Sequence, residues 1–506
     1  MEGTSHIRLS ELIQALPRYC WHGTHDPTEV WVSEVVYDSR QVQPGALFVA
    51  VPGQRYDGHD FVHDALSRGA VALVVERPVE ASTVPVLQVP HAREALALLA
   101  DRFYGSPSRS LLLVGVTGTN GKTTTTHLIA HLLREAGYRT GLIGTLGAKL
   151  DGVGEVPISH TTPEAPDIQR VLRTAVQHGV QAVAMEVSSH ALHQHRTLGL
   201  EFDVAVFTNL TQDHLDYHGT MEAYAASKRR LFVDYPQRTR KQFQGVFNLD
   251  DETGRQWYEE SAYTRWGYGV SSEEASVRAL EVRVLPDGVQ LRVATPAGEH
   301  ELHVPLGGAF QVYNVLAALT TAFALSLPVE VSLAALETAP QVPGRFEMVP
   351  NRRGITVVVD YAHTPDGLQN VLSSARALQP RRLIVVFGCG GNRDRSKRPR
   401  MGEIAARMTD LCVVTSDNPR HESPEAIIEE ILQGIPPQAN VLVEPDRRRA
   451  IALAIERAEP GDMVVIAGKG HETVQIVGDQ RIPFDDRQVA REILGEGSGG
   501  NGASSD

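Results

Sequence analysis

Cysteine is scarce in this chain. Only Cys20, Cys389 and Cys412 occur among 506 residues, at no metal-like spacing. That excludes a disulfide framework and a cysteine-built metal site. Long apolar runs are missing as well: the longest hold roughly six to eight residues, far short of the ~20 that a membrane-spanning helix needs. Basic charge is in deficit, with 48 Lys plus Arg against 61 Asp plus Glu and a net charge of -13. Nucleic acid and membrane insertion are therefore not expected, and an anionic substrate would need local basic clusters. The first residues, Met1-Glu2-Gly3-Thr4-Ser5-His6, lack a basic region followed by an apolar core. No signal peptide is expected, and the cytoplasm is the expected location. No internal repeat is visible.

What the chain does have is Val114-Gly115-Val116-Thr117-Gly118-Thr119-Asn120-Gly121-Lys122-Thr123-Thr124. An apolar run, Leu111 to Val116, enters a Gly-rich turn, and a helix-patterned stretch follows from His127 to Glu135. Strand, loop and helix in that order are the context of a phosphate-binding loop. Glycines let backbone N–H groups approach phosphate oxygens at a helix start. Lys122 would reach the β- and γ-phosphates, and the Thr123 hydroxyl would ligate Mg²⁺. The general pattern wants Gly at 116, where this chain has Val116. That departure argues against the commonest P-loop kinases and motor ATPases.

A length of 506 residues suggests three domains at about 150 residues each. Residues 1–106 form a first, smaller α/β unit with the apolar runs Leu47–Val51 and Ala70–Val75. Gly105-Ser106-Pro107-Ser108 reads as a linker. In the second unit, 107–342, strand-like runs 111–116, 182–187 and 202–207 alternate with helix-like 165–178. This predicts a mostly parallel sheet with helices on both faces. Residues 279–304 alternate polar and apolar as antiparallel strands do, and 313–325 reads as a helix. Pro343-Gly344-Arg345 marks the next boundary. The third unit, 343–494, again alternates, with Ile355–Val359, Leu383–Phe387, Leu411–Thr415 and Met463–Ala467 as buried strands of a Rossmann-like α/β domain. Residues 495–506 are Gly/Ser-rich and are expected to be disordered.

The loop Thr117–Thr124 resembles the ATP loop of the Mur ligases, the amino-acid-adding enzymes of peptidoglycan precursor synthesis. Six further segments agree: Tyr37-Asp38-Ser39-Arg40, Glu186-Val187-Ser188-Ser189-His190, Thr208–Asp216, Asn314-Val315-Leu316-Ala317-Ala318, Asp417-Asn418-Pro419-Arg420 and Gly468-Lys469-Gly470-His471-Glu472. They span the chain from about residue 35 to 490. Together they are most similar to the branch that adds the third residue of the stem peptide.

The resemblance implies roles residue by residue. ATP would be held by Gly118, Thr119, Asn120, Gly121, Lys122, Thr123 and Thr124, with Asn314 on the adenine and Arg345 and Asp360 on the phosphates and ribose. Mg²⁺ would be bound by Thr123, Glu186 and His214. Read alone, Glu186 and His214 each follow a buried apolar run, and such strand ends line the ligand crevice of an open α/β sheet. Asp213 and Asp216 either orient these groups or are helix N-terminal acids. Lys228 reads as a surface lysine by pattern. The resemblance makes it a carbamate that holds a second Mg²⁺, which requires a neutral amine of the kind burial supplies. Lys122, Glu186, His214 and Lys228 are thus the implied catalytic set.

The nucleotide-sugar substrate, a UDP-N-acetylmuramoyl dipeptide, would be bound by Ser39, Thr161, Thr162, Ser188, Gln194 and Arg196. His160, before Thr161, departs from relatives that carry Asn there. Arg393, Asp417, Asn418, Pro419, Arg420, Gly468 and Glu472 would read the incoming amino acid. Arg420 would grip the far carboxylate of meso-diaminopimelate, while Glu472 and the Gly468 carbonyl take its far ammonium. Lysine or ornithine would leave Arg420 unpaired, at roughly 1–3 kcal/mol. The implied reaction is ATP-dependent, ADP-forming amide ligation through an acyl phosphate, by a monomer. The alternatives are lysine or ornithine as the added residue, a folylpolyglutamate synthase-like ligase, and a non-catalytic nucleotide-binding protein. Cys389, in Gly388-Cys389-Gly390-Gly391, is expected to be a buried, inert thiol.

Overall fold

The computed structural model describes residues 6–22, 26–53, 56–79, 83–285 and 287–495. The tail expected to be disordered lies, from residue 496, outside them.

An eleven-stranded sheet carries the phosphate-binding loop. Its core strands Thr140–Gly144, Ala182–Glu186, Leu112–Thr117, Val204–Phe207, Gln244–Asn248 and Thr264–Gly269 lie side by side and run parallel. Both faces are covered, which is why the central strands Leu112–Thr117, Ala182–Glu186 and Val204–Phe207 are apolar at nearly every position. Val114, Val116, Ala184 and Val206 meet Leu128, Leu132 and Leu316 of helices Lys122–Glu135 and Gln311–Ala324. Leu113, Val183, Ala205 and Phe207 meet Ile168, Val171, Leu172 and Phe232 on the other face. Helix Ala165–Gln177 starts with Pro166 in its first turn and buries Ile168, Val171, Leu172 and Ala175 at helical spacing. Antiparallel pairings extend the sheet at both ends; at one of them Val277–Leu285 joins Thr264–Gly269 in parallel, and Gly288–Thr295 and Gly298–Val304 follow antiparallel.

A six-stranded sheet follows in the order Glu347–Val349, Thr356–Asp360, Met463–Ala467, Leu383–Phe387, Leu411–Val414, Val441–Val443. All its pairings are parallel except that of the first strand. Helices Pro365–Ala377, Lys397–Met408 and Pro424–Leu432 cover one face, and Arg447–Arg457 and Asp486–Ile493 the other. The N-terminal part holds a five-stranded sheet, parallel but for Cys20–His22. The stretch expected as a linker is a buried turn. Ser106 Oγ donates to Asp101 at 2.8 Å, Ser108 Oγ accepts from Glu201 N at 3.1 Å, and Pro107–Ser110 form a 3-10 helix. Among the described residues no helix is long and apolar enough to cross a membrane.

Candidate active site

The strand Leu112–Thr117 delivers Gly118 to a place where a side chain does not fit. A Cβ there would lie 1.8 Å from Thr208 Oγ1, and φ is +150°. Gly121 caps helix Lys122–Glu135, so the first N–H groups of that helix face the loop. Lys122 Nζ donates to Gly118 O at 2.9 Å and Thr119 O at 2.8 Å. Lys228 comes from helix Met221–Val233 to donate to the same Gly118 carbonyl at 2.7 Å, with its ammonium 4.5 Å from the Tyr224 ring centre. Lys228 is 1% exposed. Burial pulls its ammonium well below its ordinary pKa, and the Lys122 charge adds to this. Lys122 is lowered too, by burial, with Glu186 and Asp213 opposing.

Glu186 ends its strand buried among donors. Thr123 Oγ1 reaches its Oε2 at 3.1 Å, as does Thr145 Oγ1, and Thr145 N donates to Oε1 at 2.8 Å. Thr145 Oγ1 in turn meets Thr161 Oγ1 at 3.1 Å. Thr162 Oγ1 donates to the Glu186 carbonyl at 2.8 Å and accepts from Ser188 N at 3.1 Å. Arg196 sits behind them. It donates to Thr162 O at 3.0 Å and to Gln194 Oε1 at 2.7 and 3.1 Å, and it pairs with Glu164 at 3.1 Å.

His214 holds a left-handed backbone (φ +54°) at the start of the short helix Leu215–His218. It stands in a cluster with His190, His218, Tyr217 and Tyr224. Burial, reinforced by Lys122 and Lys228, holds His214 down to about 4 although Asp213 opposes. Burial likewise takes His190 to about 3 and His218 to about 4, so these rings are neutral at pH 7.

Among the described residues no three His, Cys, Asp or Glu side chains converge on a point that could hold a metal. The oxygens of Thr123 and Glu186 do form a hard-donor pair. Mg²⁺ is commonly held by one or two carboxylates, with phosphates and water supplying the rest. The donor set therefore fits Mg²⁺ only together with a phosphate ligand.

These groups line a cavity of about 580 Å³ that crosses to the third unit. Arg345 Nη2 donates to Thr123 Oγ1 at 2.9 Å, and its guanidinium stacks 4.6 Å from the Tyr361 ring centre. Asp360 accepts from Phe346 N at 2.7 Å and Ala362 N at 2.8 Å. Burial raises it to about 6, against the pull of Arg345. Asn314 Oδ1 accepts from Thr125 Oγ1 at 3.2 Å. Asn120 Nδ2 reaches Asp366 Oδ2 at 2.7 Å.

A second cavity of about 290 Å³ shares the wall residues Asp213, His214, Tyr361, His363 and Thr364 with the first. It is also lined by Arg393, Asp417, Asn418, Arg420, Gly468 and Glu472. Arg420 adopts φ +53° and is held by backbone bonds, its N–H to Ile476 O at 3.0 Å and its carbonyl from Gly478 N at 2.7 Å. Asn418 Nδ2 donates to Glu472 Oε2 at 2.7 Å. The buried ammonium of Lys469 reaches Asn418 Oδ1, Glu472 Oε2 and Val474 O at 3.1, 3.0 and 2.6 Å.

Of the residues singled out in the sequence, Gly118, Ser39, Thr162, Gln194, Arg196 and Pro419 line neither cavity. Gly118 offers its carbonyl to the two lysines. Thr162, Gln194 and Arg196 form the layer behind Glu186. Ser39 belongs to the N-terminal sheet unit, where it is bonded to Asp64. Pro419 gives its carbonyl to Glu422 N. Cys389 is buried, its thiol pushed up to about 12, as expected for an inert group. Thr145, Tyr361, His363, Asp366 and Lys469 were not foreseen as site residues. Tyr361 and His363 lie within three residues of Asp360, and Lys469 lies inside a quoted motif, so proximity to those positions was the available signal. Thr145 and Asp366 carried none.

Comparison with known proteins agrees with this geometry. Residues 32–104 match the profile described as "Mur ligase family, catalytic domain", 116–322 the "Mur ligase middle domain" and 344–470 the "Mur ligase, glutamate ligase domain". The chain is 47% identical to a UDP-N-acetylmuramoyl-L-alanyl-D-glutamate--2,6-diaminopimelate ligase of Geobacillus thermodenitrificans, over 97% of this chain and 100% of that protein. It is 50% identical to the protein of the same name from Thermosynechococcus vestitus, over 92% and 93%. A solved structure of an enzyme of that name is 31% identical and superimposes with a TM-score of 0.69, over 96% of this chain and 99% of the other. A phosphate-binding loop, a cross-unit cavity and an amino-acid-sized pocket beside it thus sit in a chain that belongs to the Mur ligase family.

Proposed function

We propose that this chain is an ATP-dependent ligase that adds meso-diaminopimelate, as the third stem-peptide residue, to UDP-N-acetylmuramoyl-L-alanyl-D-glutamate in peptidoglycan synthesis. One observation carries the reading: the phosphate-binding cavity shares wall residues with a pocket lined by the cations of Arg393, Lys397 and Arg420 and by the carboxylates of Asp213, Asp216, Asp394, Asp417 and Glu472. Such a pocket matches a ligand with two carboxylates and an ammonium. The names of the relatives support the same substrate. Residues 1–106 are proposed to hold the UDP substrate, 107–342 ATP and 343–494 the amino acid. The reaction is proposed to run in the cytoplasm, on a monomeric enzyme.

In the proposed mechanism the loop Gly118–Thr124 and Lys122 bind the ATP phosphates, with Asn314 on the adenine and Arg345 and Asp360 closing from the third unit. Mg²⁺ would be held by Thr123, Glu186 and His214, and by Lys228 as a carbamate. When bound, it supplies charge neutralisation for the transferring phosphoryl group. Support for the carbamate is the buried, low-pKa amine of Lys228 beside Lys122. Ser39, Thr161, Thr162, Ser188, Gln194 and Arg196 would orient the UDP substrate. The γ-phosphoryl group passes to the D-Glu γ-carboxylate as its bond to ADP breaks. The neutral amine of the diamino acid then attacks the acyl carbon, the C–N bond forms, a proton is lost and phosphate leaves. No protein nucleophile is required, and positioning plus electrostatics does the work. Arg420 and Arg393 would hold the carboxylates, and Glu472 with Gly468 the far ammonium.

The test is phosphate release with ATP, Mg²⁺ and the UDP-dipeptide, run separately with meso-diaminopimelate, L-lysine and L-ornithine. Turnover with diaminopimelate alone is expected. Turnover with lysine or ornithine instead would keep the ligase and overturn the Arg420 argument. Silence with all three would overturn the reading.

A further inference from the structure

Arg447 and Asp486 form a fully buried pair on the side of the third sheet away from helix Pro365–Ala377, each with 0% of its side chain exposed. The pair is bidentate, Nε to Oδ1 at 2.8 Å and Nη2 to Oδ2 at 2.7 Å. Each residue opens a helix, Arg447–Arg457 and Asp486–Ile493. An aspartate there suits the helix dipole, but an arginine opposes it. Buried ion pairs are also poor stabilisers compared with apolar packing. A local rule broken without a gain in stability points to a task at the site.

The rest of the fork shows the task. Arg447 Nη1 donates to Ser416 O at 3.3 Å, and Nη2 donates to Ala467 O at 3.0 Å. Ala467 ends one strand and Ser416 lies two residues past the end of another, Leu411–Val414; the two strands are not neighbours, since Leu383–Phe387 lies between them. The next residues in the chain are Asp417 and Gly468, both of which line the 290 Å³ cavity. Gly468 adopts φ +119°, and a Cβ on it would lie 2.5 Å from Asp417 Oδ2 and 3.9 Å from Arg447 Nη2. The guanidinium therefore lies directly beneath the pocket floor.

We propose that Arg447, oriented by Asp486, is a positioning residue for the amino-acid pocket. It bridges two strand ends so that Asp417 and the Gly468 carbonyl meet the incoming diamino acid in a fixed relation. The inference rests on reading this cavity as the amino-acid site. A planar fork can span two strand ends and a carboxylate at once, whereas a lysine ammonium, a single point, cannot.

The test compares the wild type, R447K and R447M/D486L by thermal melting and by phosphate-release kinetics. The double variant replaces the pair with apolar side chains of similar volume, which commonly leaves a fold intact. Folded variants are expected to raise KM for diaminopimelate by about tenfold or more and to lose discrimination against lysine. KM for ATP and for the UDP-dipeptide should stay within about twofold of wild type. A purely structural role would lower melting temperature and active fraction without moving one KM alone. A folded variant with unchanged amino-acid KM, or with all three KM values raised together, overturns the proposal. If the double variant does not fold, R447K decides by the same criterion. A wild type inert toward every diamino acid sinks the site reading and this inference together, whereas an active wild type with unaffected variants sinks this inference alone.

Discussion

Lys122 and Lys228 converge on one carbonyl, that of Gly118, and this puts the Lys122 charge, with the Lys228 amine proposed as a carbamate beside it, at the loop where phosphate charge would lie. Lys122→Ala should keep the fold and lower kcat/KM by about a hundredfold or more, because a charge aimed at the transferring phosphoryl group is lost. Residual activity within about tenfold of wild type would contradict the assignment. Gly118→Ala should be as damaging by another route. Its methyl would lie 1.8 Å from Thr208 Oγ1, so loop or strand end must move, and ATP affinity measured by calorimetry should collapse. At this scale the sequence was informative where chemistry is contiguous. Gly118 to Thr124 form one loop because consecutive residues must wrap one phosphate chain. Thr145, which gives Glu186 two hydrogen bonds, was not legible, since it reaches Glu186 only through the pairing of their two strands.

Strand runs covered on both faces, such as Leu383–Phe387 and Met463–Ala467, were readable because burial on two sides demands unbroken apolar sequence. Thr140–Gly144 and Thr264–Gly269 were not, because each carries two glycines and polar residues that mask the pattern. Helix Lys397–Met408 illustrates a tie that no period reveals. Its Arg398, with 0% of the side chain exposed, joins Glu422, just before helix Pro424–Leu432, at 2.9 Å and Glu430, on it, at 2.8 Å. Arg398→Met should cost about 1–3 kcal/mol in denaturant unfolding, less than for a fully buried pair because both glutamates keep some access to water. Arg398 also holds Glu422 down to about 2, from an ordinary 4.5. A carboxylate lowered on folding stabilises the fold above its unfolded pKa. That contribution is fully present above about pH 4.5 and is lost as pH falls toward 2. Glu422→Gln should flatten the stability profile in that window; an unchanged acid limb would refute the assignment.

Across the whole molecule, the central and third units meet at the nucleotide cavity through a few polar bonds. Arg345 reaches Thr123, and Asp366 accepts from Asn120 at 2.7 Å and from Thr211 at 3.2 Å. Losing bonds of this kind costs about 1 kcal/mol each. Asp366→Ala should therefore raise KM for ATP by about five- to thirtyfold with little change in melting temperature. An unaltered KM would mean that the contact does not support the nucleotide site. The sequence by itself determined the three α/β units, the phosphate-binding loop and the likeness to Mur ligases, because helix and strand periods and short motifs are local properties of the chain. Only the tertiary structure decided that the two cavities share a wall, that Lys228 is buried against Gly118, and that Arg447 spans two strand ends. Those facts depend on contacts between residues far apart in sequence, and such contacts are set by how sheets pair and units pack.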